Sequence, residues 1–341
     1  MIIYIIFFFL LAIPTVALTR SRRAAWYMAF LIFLISALRY NVGWDYETYF
    51  EWAFNGLNSY MEMSMEPLSK GMLDIALYSG EPQTFFVMSS AVVVGLFSYS
   101  YIRCSPLPTL SILGFFCLPL LFLVSLAIVR QSMAAAVVFF ALTVLEKRHI
   151  SALVLLLLAG LLHYSAWIAL LFWPFLRWFE RPVSTTWYVA AMAIGPMIST
   201  ILVGIIEPYL LLYSGHLEKD GTSGLQLILL YYLFAFLILY LRHCCATLPT
   251  RQLNFFMLGV VMLGTGGVIN EVVGRLAYYF LPFAALLLPA CIAKIKPHIY
   301  VRLLTLSTLG ILLIMQIYIA GQNPEKDPYR PYQLYPGWIS L

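Results

Sequence analysis

The sequence opens with MIIYIIFFFLLAIPTVALTRSRR (residues 1–23), an apolar run followed by three arginines. No basic residue precedes the run from Ile2 to Leu18, whereas a secretory signal peptide carries its positive charges in front. Positive residues next to a membrane helix stay on the cytoplasmic side. This stretch therefore predicts a retained first membrane helix whose N-terminus lies outside, and it sets the orientation of the whole chain.

Apolar character extends over the whole chain. Of 341 residues, 62% are hydrophobic and 10% are charged, whereas a soluble domain carries about 25% charged residues. The apolar runs are long enough to cross a bilayer as helices and lack the alternation of barrel strands. The sequence therefore predicts an all-α, polytopic integral membrane protein.

Hydropathy and charge together predict about 12 membrane segments, some of them short, in a single membrane domain of residues 1–341. Most of the 20 lysines and arginines then lie in inner loops, and most of the 15 acidic residues lie outside. Residues 150–177 are short for two crossings at about 1.5 Å per residue, and we predict a hairpin of two short helices meeting at HYS. The segments lie near 2–18, 24–38, 82–102, 107–126, 129–145, 150–163, 164–177, 184–206, 224–241, 252–268, 275–292 and 299–320. External regions are expected near 39–81 and 207–223 and in the tail, 321–341.

Charged or titratable groups stand at the outer ends of four predicted helices. An arginine near mid-membrane costs roughly 2.5–3.5 kcal/mol, so Arg39, Arg130 and Arg275 on one side indicate a shared anionic target. The planar guanidinium pairs with phosphate oxygens and keeps its charge when buried, which favours a diphosphate. Arg39 and Arg275 are equally consistent with anchors that snorkel to lipid headgroups. The four stretches are RYNVGWDYETY (39–49), VRQSMAAA (129–136), LLHYSA (161–166) and EVVGRLAYYF (271–280).

Two residues are candidates for a general base. Histidine changes its charge nearest neutral pH, which places His163 ahead of Asp45. The alternative for His163 is a packing role with hydrogen bonds from its neighbours, and for Asp45 a solvated loop position. Six further residues are predicted to contact a glycan: Trp44, Tyr46, Glu66, Gln131, Tyr278 and Tyr279. The aromatic ones equally fit a membrane-interface belt, and Glu66 equally fits a helix cap before Pro67.

Several other kinds of chemistry are not indicated. The chain has no Walker A motif, no GxGxxG, no HExxH and no CxxC, so we expect no nucleotide cofactor and no metal site. None of the five cysteines falls in a predicted external loop, so no structural disulfide is expected. The basic residues are scattered between helices, which does not suggest nucleic acid. An enzyme on the outer face would need an activated donor that arrives already attached to a lipid.

Five short pieces in this order resemble the EpsG-like branch of the Wzy-type polysaccharide polymerases of O-antigen and capsule assembly. They are RYNVGWDYETY, MEP at 65–67, VRQSMA at 129–134, LLHYSA, and GRLAYYF at 274–280; Leu68 stands where a glycine is often seen. The resemblance implies an enzyme of the bacterial inner membrane, similar to the GT-C glycosyltransferases, with its active site facing the periplasm.

The implied reaction moves a growing glycan from undecaprenyl diphosphate to the next lipid-linked repeat unit. The partners it implies are the undecaprenyl-diphosphate-linked oligosaccharide and membrane lipid, and it leaves room for a chain-length regulator and a flippase. Two alternatives stay open: a glycan ligase of the same membrane class, and a lipid-linked oligosaccharide flippase or transporter. The charges gather at one end of the helices and no internal repeat is visible, which is unlike many carriers.

Overall fold

The computed structural model describes residues 1–144, 148–206, 223–245, 248–269, 274–295, 298–322 and 327–336. Its described part is built from 16 α-helices, a few 3-10 turns and one two-stranded ribbon, which confirms the predicted all-α class. On the N-terminal side lie α1 (Ile2–Ala17), α2 (Arg22–Ala37), α3 (Tyr46–Asn55), α4 (Ser59–Ser64), α5 (Pro67–Ser79), α6 (Gln83–Cys104), α7 (Pro108–Cys117) and α8 (Phe122–Ala127). There follow α9 (Val129–Thr143), α10 (His149–Leu162), α11 (Ile168–Phe172), α12 (Thr185–Ile206), α13 (Ser223–Cys245), α14 (Thr250–Ile269), α15 (Ala284–Ile292) and α16 (His298–Ala320).

Many of these helices are apolar over most of their length. Among the described residues, three helical stretches, 83–104, 225–243 and 299–320, are long and apolar enough to cross a membrane. Shorter apolar helices occupy 2–17, 108–117, 129–143, 149–162, 164–175 and 281–292. Together they indicate a multi-pass membrane protein. The predicted external loop near 207–223 falls almost wholly outside the described residues.

Two predicted segments are broken rather than continuous. The segment predicted at 107–126 divides into α7 and α8, because Pro119 lacks an amide donor and Leu120 adopts a positive φ of 61°. The segment predicted at 275–292 begins with 3-10 turns at Arg275–Tyr279 and Leu281–Phe283 before α15. Broken helices are tolerated at membrane depth where protein surrounds them, and both breaks are largely buried.

The chain reverses direction after α10, as the hairpin prediction requires. His163 ends the helix with extended backbone angles, φ −158° and ψ 122°. Trp167 then packs back on Gly160, where an added Cβ would lie 2.5 Å from a ring atom. Further from the turn, the rings of His149 and Trp173 stack with centroids 6.0 Å apart. The reversal brings His163 to the tip of a hairpin.

The N-terminus, the residues after α2 and the C-terminal tail meet on one face of the protein, called the outer face below because the sequence predicts that these regions lie outside. The short strands β1 (Arg39–Tyr40) and β2 (Gln333–Leu334) pair antiparallel. The Tyr4 hydroxyl donates a hydrogen bond of 3.1 Å to the carbonyl oxygen of Tyr329. These contacts bring the three regions together, while their place outside the membrane stays a prediction.

A tight turn connects β1 to α3. Asn41 and Gly43 both have positive φ, 51° and 106°, and the Gly43 N–H donates to the Pro328 carbonyl oxygen at 2.6 Å. A Cβ on Gly43 would lie 1.9 Å from the backbone oxygen of Leu126. Only glycine fits, and the turn delivers Asp45 to the start of α3.

Replacing Gly43 with alanine should destabilise the protein. The positive φ alone costs about 1–3 kcal/mol, and the backbone of Leu126 cannot move away cheaply. Thermal unfolding of the purified protein in detergent should show a clear drop in midpoint. Gly71→Ala in α5 is the matched control, because no atom lies within 4 Å of its added Cβ. Equal midpoints for the two variants would contradict this account of the turn.

Candidate active site

A buried carboxylate connects the start of α5, the start of α9 and the residue that ends α10. Glu66, 3% exposed, precedes Pro67 at the start of α5. Its Oε1 lies 2.7 Å from Nδ1 of His163, within hydrogen-bond distance, and accepts a hydrogen bond from the Tyr164 N–H at 3.1 Å. Its Oε2 forms a salt bridge with the Arg130 guanidinium. One side chain thus joins the start of α5, the start of α9 and the hairpin tip after α10.

Local sequence explains why Glu66 meets the hairpin tip. Pro67 takes the first position of α5, which suits its fixed φ and missing N–H. Two residues later, the Ser69 hydroxyl donates to the Leu162 carbonyl oxygen at 2.7 Å, which fastens α5 to the end of α10. Glu66 and His163 each flank this fastened pair. The Glu66 side chain makes no capping hydrogen bond to α5, so the helix-cap alternative does not describe it.

Arg130 stands in the first turn of α9, directly after the break that ends α8. Its Nε donates to the Tyr49 hydroxyl at 2.5 Å, and its guanidinium lies 5.8 Å from the centre of the Tyr49 ring. The Arg130 side chain is 23% exposed, against 4% for Glu66. The guanidinium is therefore both held by the protein and partly exposed at its surface.

The two carboxyl groups of the site differ in their titration. Burial raises the pKa of Asp45, although the charges of Arg130 and Arg275 act the other way and the Val129 N–H donates to its carboxylate. Burial also acts to raise the pKa of Glu66, but the hydrogen bond from His163 and the charge of Arg130 outweigh it and lower that pKa to about 2. Glu66 is therefore ionised at neutral pH, and Asp45 is the readier proton acceptor of the two.

The pH range in which Glu66 stabilises the fold follows from the lowered pKa. The contribution of Glu66 to the free energy of unfolding is complete above the ordinary carboxyl pKa of 4.5. It is lost as the pH falls from there towards 2. Any pH dependence of activity near neutrality therefore belongs to another group of the site.

A third connection brings Arg275 beside Arg130. The Gln131 side-chain amide donates to the Arg275 carbonyl oxygen at 2.9 Å. In the same 3-10 turn, the Tyr279 hydroxyl lies 2.7 Å from the Ser165 hydroxyl, next to the hairpin tip. The charge of Arg275 reaches Asp45, as that of Arg130 does. Two of the three arginines predicted to share a target thus lie in one environment.

Arg39, also predicted at the diphosphate, is enclosed by groups of the protein, and its hydrogen bonds go to residues other than those that hold Arg130. It is 1% exposed, and its guanidinium donates to the carbonyl oxygens of Ser36 at 2.6 Å and Val42 at 3.2 Å. The same group lies 5.1 Å from the centre of the Phe86 ring. Nor does Arg39 snorkel to headgroups. Its hydrogen bonds satisfy backbone carbonyl groups at the end of α2 and in the turn that follows.

The predicted glycan-contacting residues divide by exposure. Tyr46 is 2% exposed and donates to Gln83 at 2.9 Å, and Tyr279 is fully buried, so neither ring offers a face to a sugar. Glu66 and Gln131 are also buried and bind protein groups. Trp44 is 54% exposed on the outer face. Tyr278 is half-buried and lines a cavity of about 10 Å³, room for about one water molecule.

Sequence reasoning did not assign Tyr49 or Ser165 to the site. Tyr49 follows Asp45 by four residues, which puts both on one face of a helix, and that spacing was the available signal. For Ser165 the only signal in the sequence was its position two residues after His163. The N–H groups of Tyr164 and Val129, which hold the two carboxylates, have no sequence signature.

The arrangement suits anion binding combined with proton transfer. It holds two arginines, one ionised carboxylate, one histidine and one carboxyl with a raised pKa. Among the residues that the structure describes, no group of three histidine, cysteine or acidic side chains is placed to hold a metal ion.

Comparison with known proteins identifies the family. A protein-family model described as the EpsG family matches residues 23–334, which covers every residue of the candidate site. No curated protein and no solved structure matches the chain. The family is associated with exopolysaccharide synthesis. The resemblance noted in the sequence is thereby confirmed: the chain belongs to the EpsG family.

Proposed function

We propose that the protein is a polysaccharide polymerase that moves a growing glycan from undecaprenyl diphosphate to the next lipid-linked repeat unit. One observation carries this proposal: Asp45, Glu66, Arg130, His163 and Arg275 come from distant parts of the chain and gather on one face. The setting would be the bacterial inner membrane, with about 12 crossings, a GT-C-like arrangement and the outer face towards the periplasm.

Arg130 and Arg275 would hold the donor's diphosphate. A guanidinium fork makes paired hydrogen bonds to phosphate oxygens, and the Arg130 side chain is partly open to a ligand. As the bond from the anomeric carbon to the diphosphate breaks, its electron pair passes to the phosphate oxygen. Preorganised positive charge stabilises that developing charge, the type of interaction that often dominates catalysis.

His163 would take the proton of the acceptor. The acceptor hydroxyl oxygen forms the new bond to the anomeric carbon, and its proton passes to the imidazole. Asp45, whose pKa is raised and which lies within the field of the same charges, is the second candidate for this role. Trp44, exposed on the outer face, offers a stacking surface for sugar rings.

Two related functions compete with this one. A glycan ligase would use the same chemistry on a different acceptor lipid. A flippase or transporter would move a lipid-linked unit without breaking its diphosphate bond. A buried carboxylate paired with a histidine next to reachable arginines favours bond-breaking chemistry over transport.

Deleting the gene in its native host should separate the three functions. A strain without a polymerase should still attach one repeat unit to its surface lipid and should lose the ladder of longer chains on a gel. Loss of even the single unit would identify a flippase instead. Lipid-linked polymer that accumulates without transfer would identify a ligase.

Arg130→Lys should reduce polymer synthesis by about 10²-fold, because lysine keeps the charge and loses the fork. The measurement is the chain-length profile of cells that carry equal amounts of variant and wild-type protein in the membrane. Arg103→Lys is the control, since Arg103 lies exposed at the far end of α6. A normal ladder from Arg130→Lys would rule out Arg130 as the diphosphate fork.

A further inference from the structure

We propose that Glu66 is a positioning residue that fixes the tautomer of His163, so that Nε2 faces the acceptor hydroxyl as the proton acceptor. This inference rests on the proposed function and deepens it. The sequence predicted a glycan contact or a helix cap for Glu66; in the structure its side chain makes no capping hydrogen bond and is buried against His163 and Arg130.

The geometry decides which ring nitrogen carries the hydrogen. Oε1 of Glu66 lies 2.7 Å from Nδ1 of His163. An ionised carboxylate has no hydrogen to donate, so Nδ1 must be the donor of this bond. Neutral imidazole carries one N–H, which leaves the Nε2 lone pair to accept a proton.

Glu66 itself is held in place by independent contacts. Its Oε1 also accepts from the Tyr164 N–H at 3.1 Å, and its Oε2 is paired with Arg130. Because both oxygens are engaged, the carboxylate cannot rotate away from His163. The ring is therefore oriented before any substrate binds, which is the use of a carboxylate behind a catalytic histidine.

The charged surroundings support the same role. The titratable groups that face this pair are Arg130 from α9, Asp45 and Tyr49 from the α3 region, and Arg275 and Tyr279 from the 3-10 turn. Burial acts against ionisation of Glu66, but its bonds lower the carboxyl pKa to about 2, so it stays charged throughout the working range. After His163 takes the proton, the imidazolium stands against a full negative charge.

The first test is the tautomer itself, read from the ¹⁵N spectrum of histidine-labelled protein in lipid. The chain has five histidines, and His163→Asn identifies the relevant signals by difference. In the wild type the neutral ring should carry its hydrogen on Nδ1. In Glu66→Ala the hydrogen should move largely to Nε2, whereas Glu62→Gln, an exposed residue paired with Lys70, should change nothing. A wild-type ring protonated on Nε2 overturns the proposal without any variant.

The second test is the pH profile of polymer synthesis. Lipid-linked single units extracted from the deletion strain serve as substrate for the purified full-length protein. In Glu66→Gln the rate should fall by about 10²-fold. Its decline on the acid side should move to lower pH, because the variant has no negative charge beside the imidazolium. Glu66→Asp should restore part of the rate. An unchanged acid limb would show that Glu66 only supports the fold.

The two tests separate this inference from the function it rests on. Polymer made by the wild type together with an unchanged tautomer in Glu66→Ala overturns the role of Glu66 alone. Wild-type protein that makes no polymer from the extracted units overturns the function, and the role of Glu66 with it. In the double variant Glu66→Gln/His163→Asn, the loss should be no greater than in His163→Asn, since paired residues act as a unit.

Discussion

The Glu66 carboxylate, shared between Arg130 and His163, makes three separate parts of the chain depend on one another. Removing one partner from a buried charged pair typically costs about 3–5 kcal/mol, because the other charge is left uncompensated. The start of α5, the start of α9 and the hairpin tip must therefore be placed together or not at all. This constraint explains why a chain so apolar keeps a carboxylate inside it.

Broken helices supply the positions that this constraint needs. A continuous helix crosses the membrane from one surface to the other, whereas an interrupted helix places its terminal residues at an intermediate depth. Arg130 follows the break at α8, His163 sits at the hairpin tip, and Arg275 begins a 3-10 turn. Arg130 and His163 thus lie where a regular α-helix begins or ends, and Arg275 lies in a 3-10 turn. The surrounding apolar helices shield these ends and strengthen the electrostatic interactions between them.

The sequence was sufficient for the helical class, for the hairpin and for the meeting of Arg130, Arg275, His163 and Asp45. These followed from apolar run lengths and from charges at helix ends. The sequence did not predict the positions of side chains that tertiary contacts determine. Arg39 resembles the other arginines in sequence, yet the carbonyl groups of α2 and the turn after it draw its guanidinium inward. Tyr46 and Tyr279 likewise look like interface residues, and only packing shows that they are enclosed.

The ribbon formed by β1 and β2 joins two parts of the chain that are synthesised at different times. Residues 327–336 are synthesised after every helix that the structure describes, and they supply the partner strand for Arg39–Tyr40 and the acceptor for the Gly43 N–H. The turn that delivers Asp45 is therefore completed only after residues 327–336 have been made. A chain that stops before residue 327 would therefore lack the contacts that hold the Asp45 turn in place.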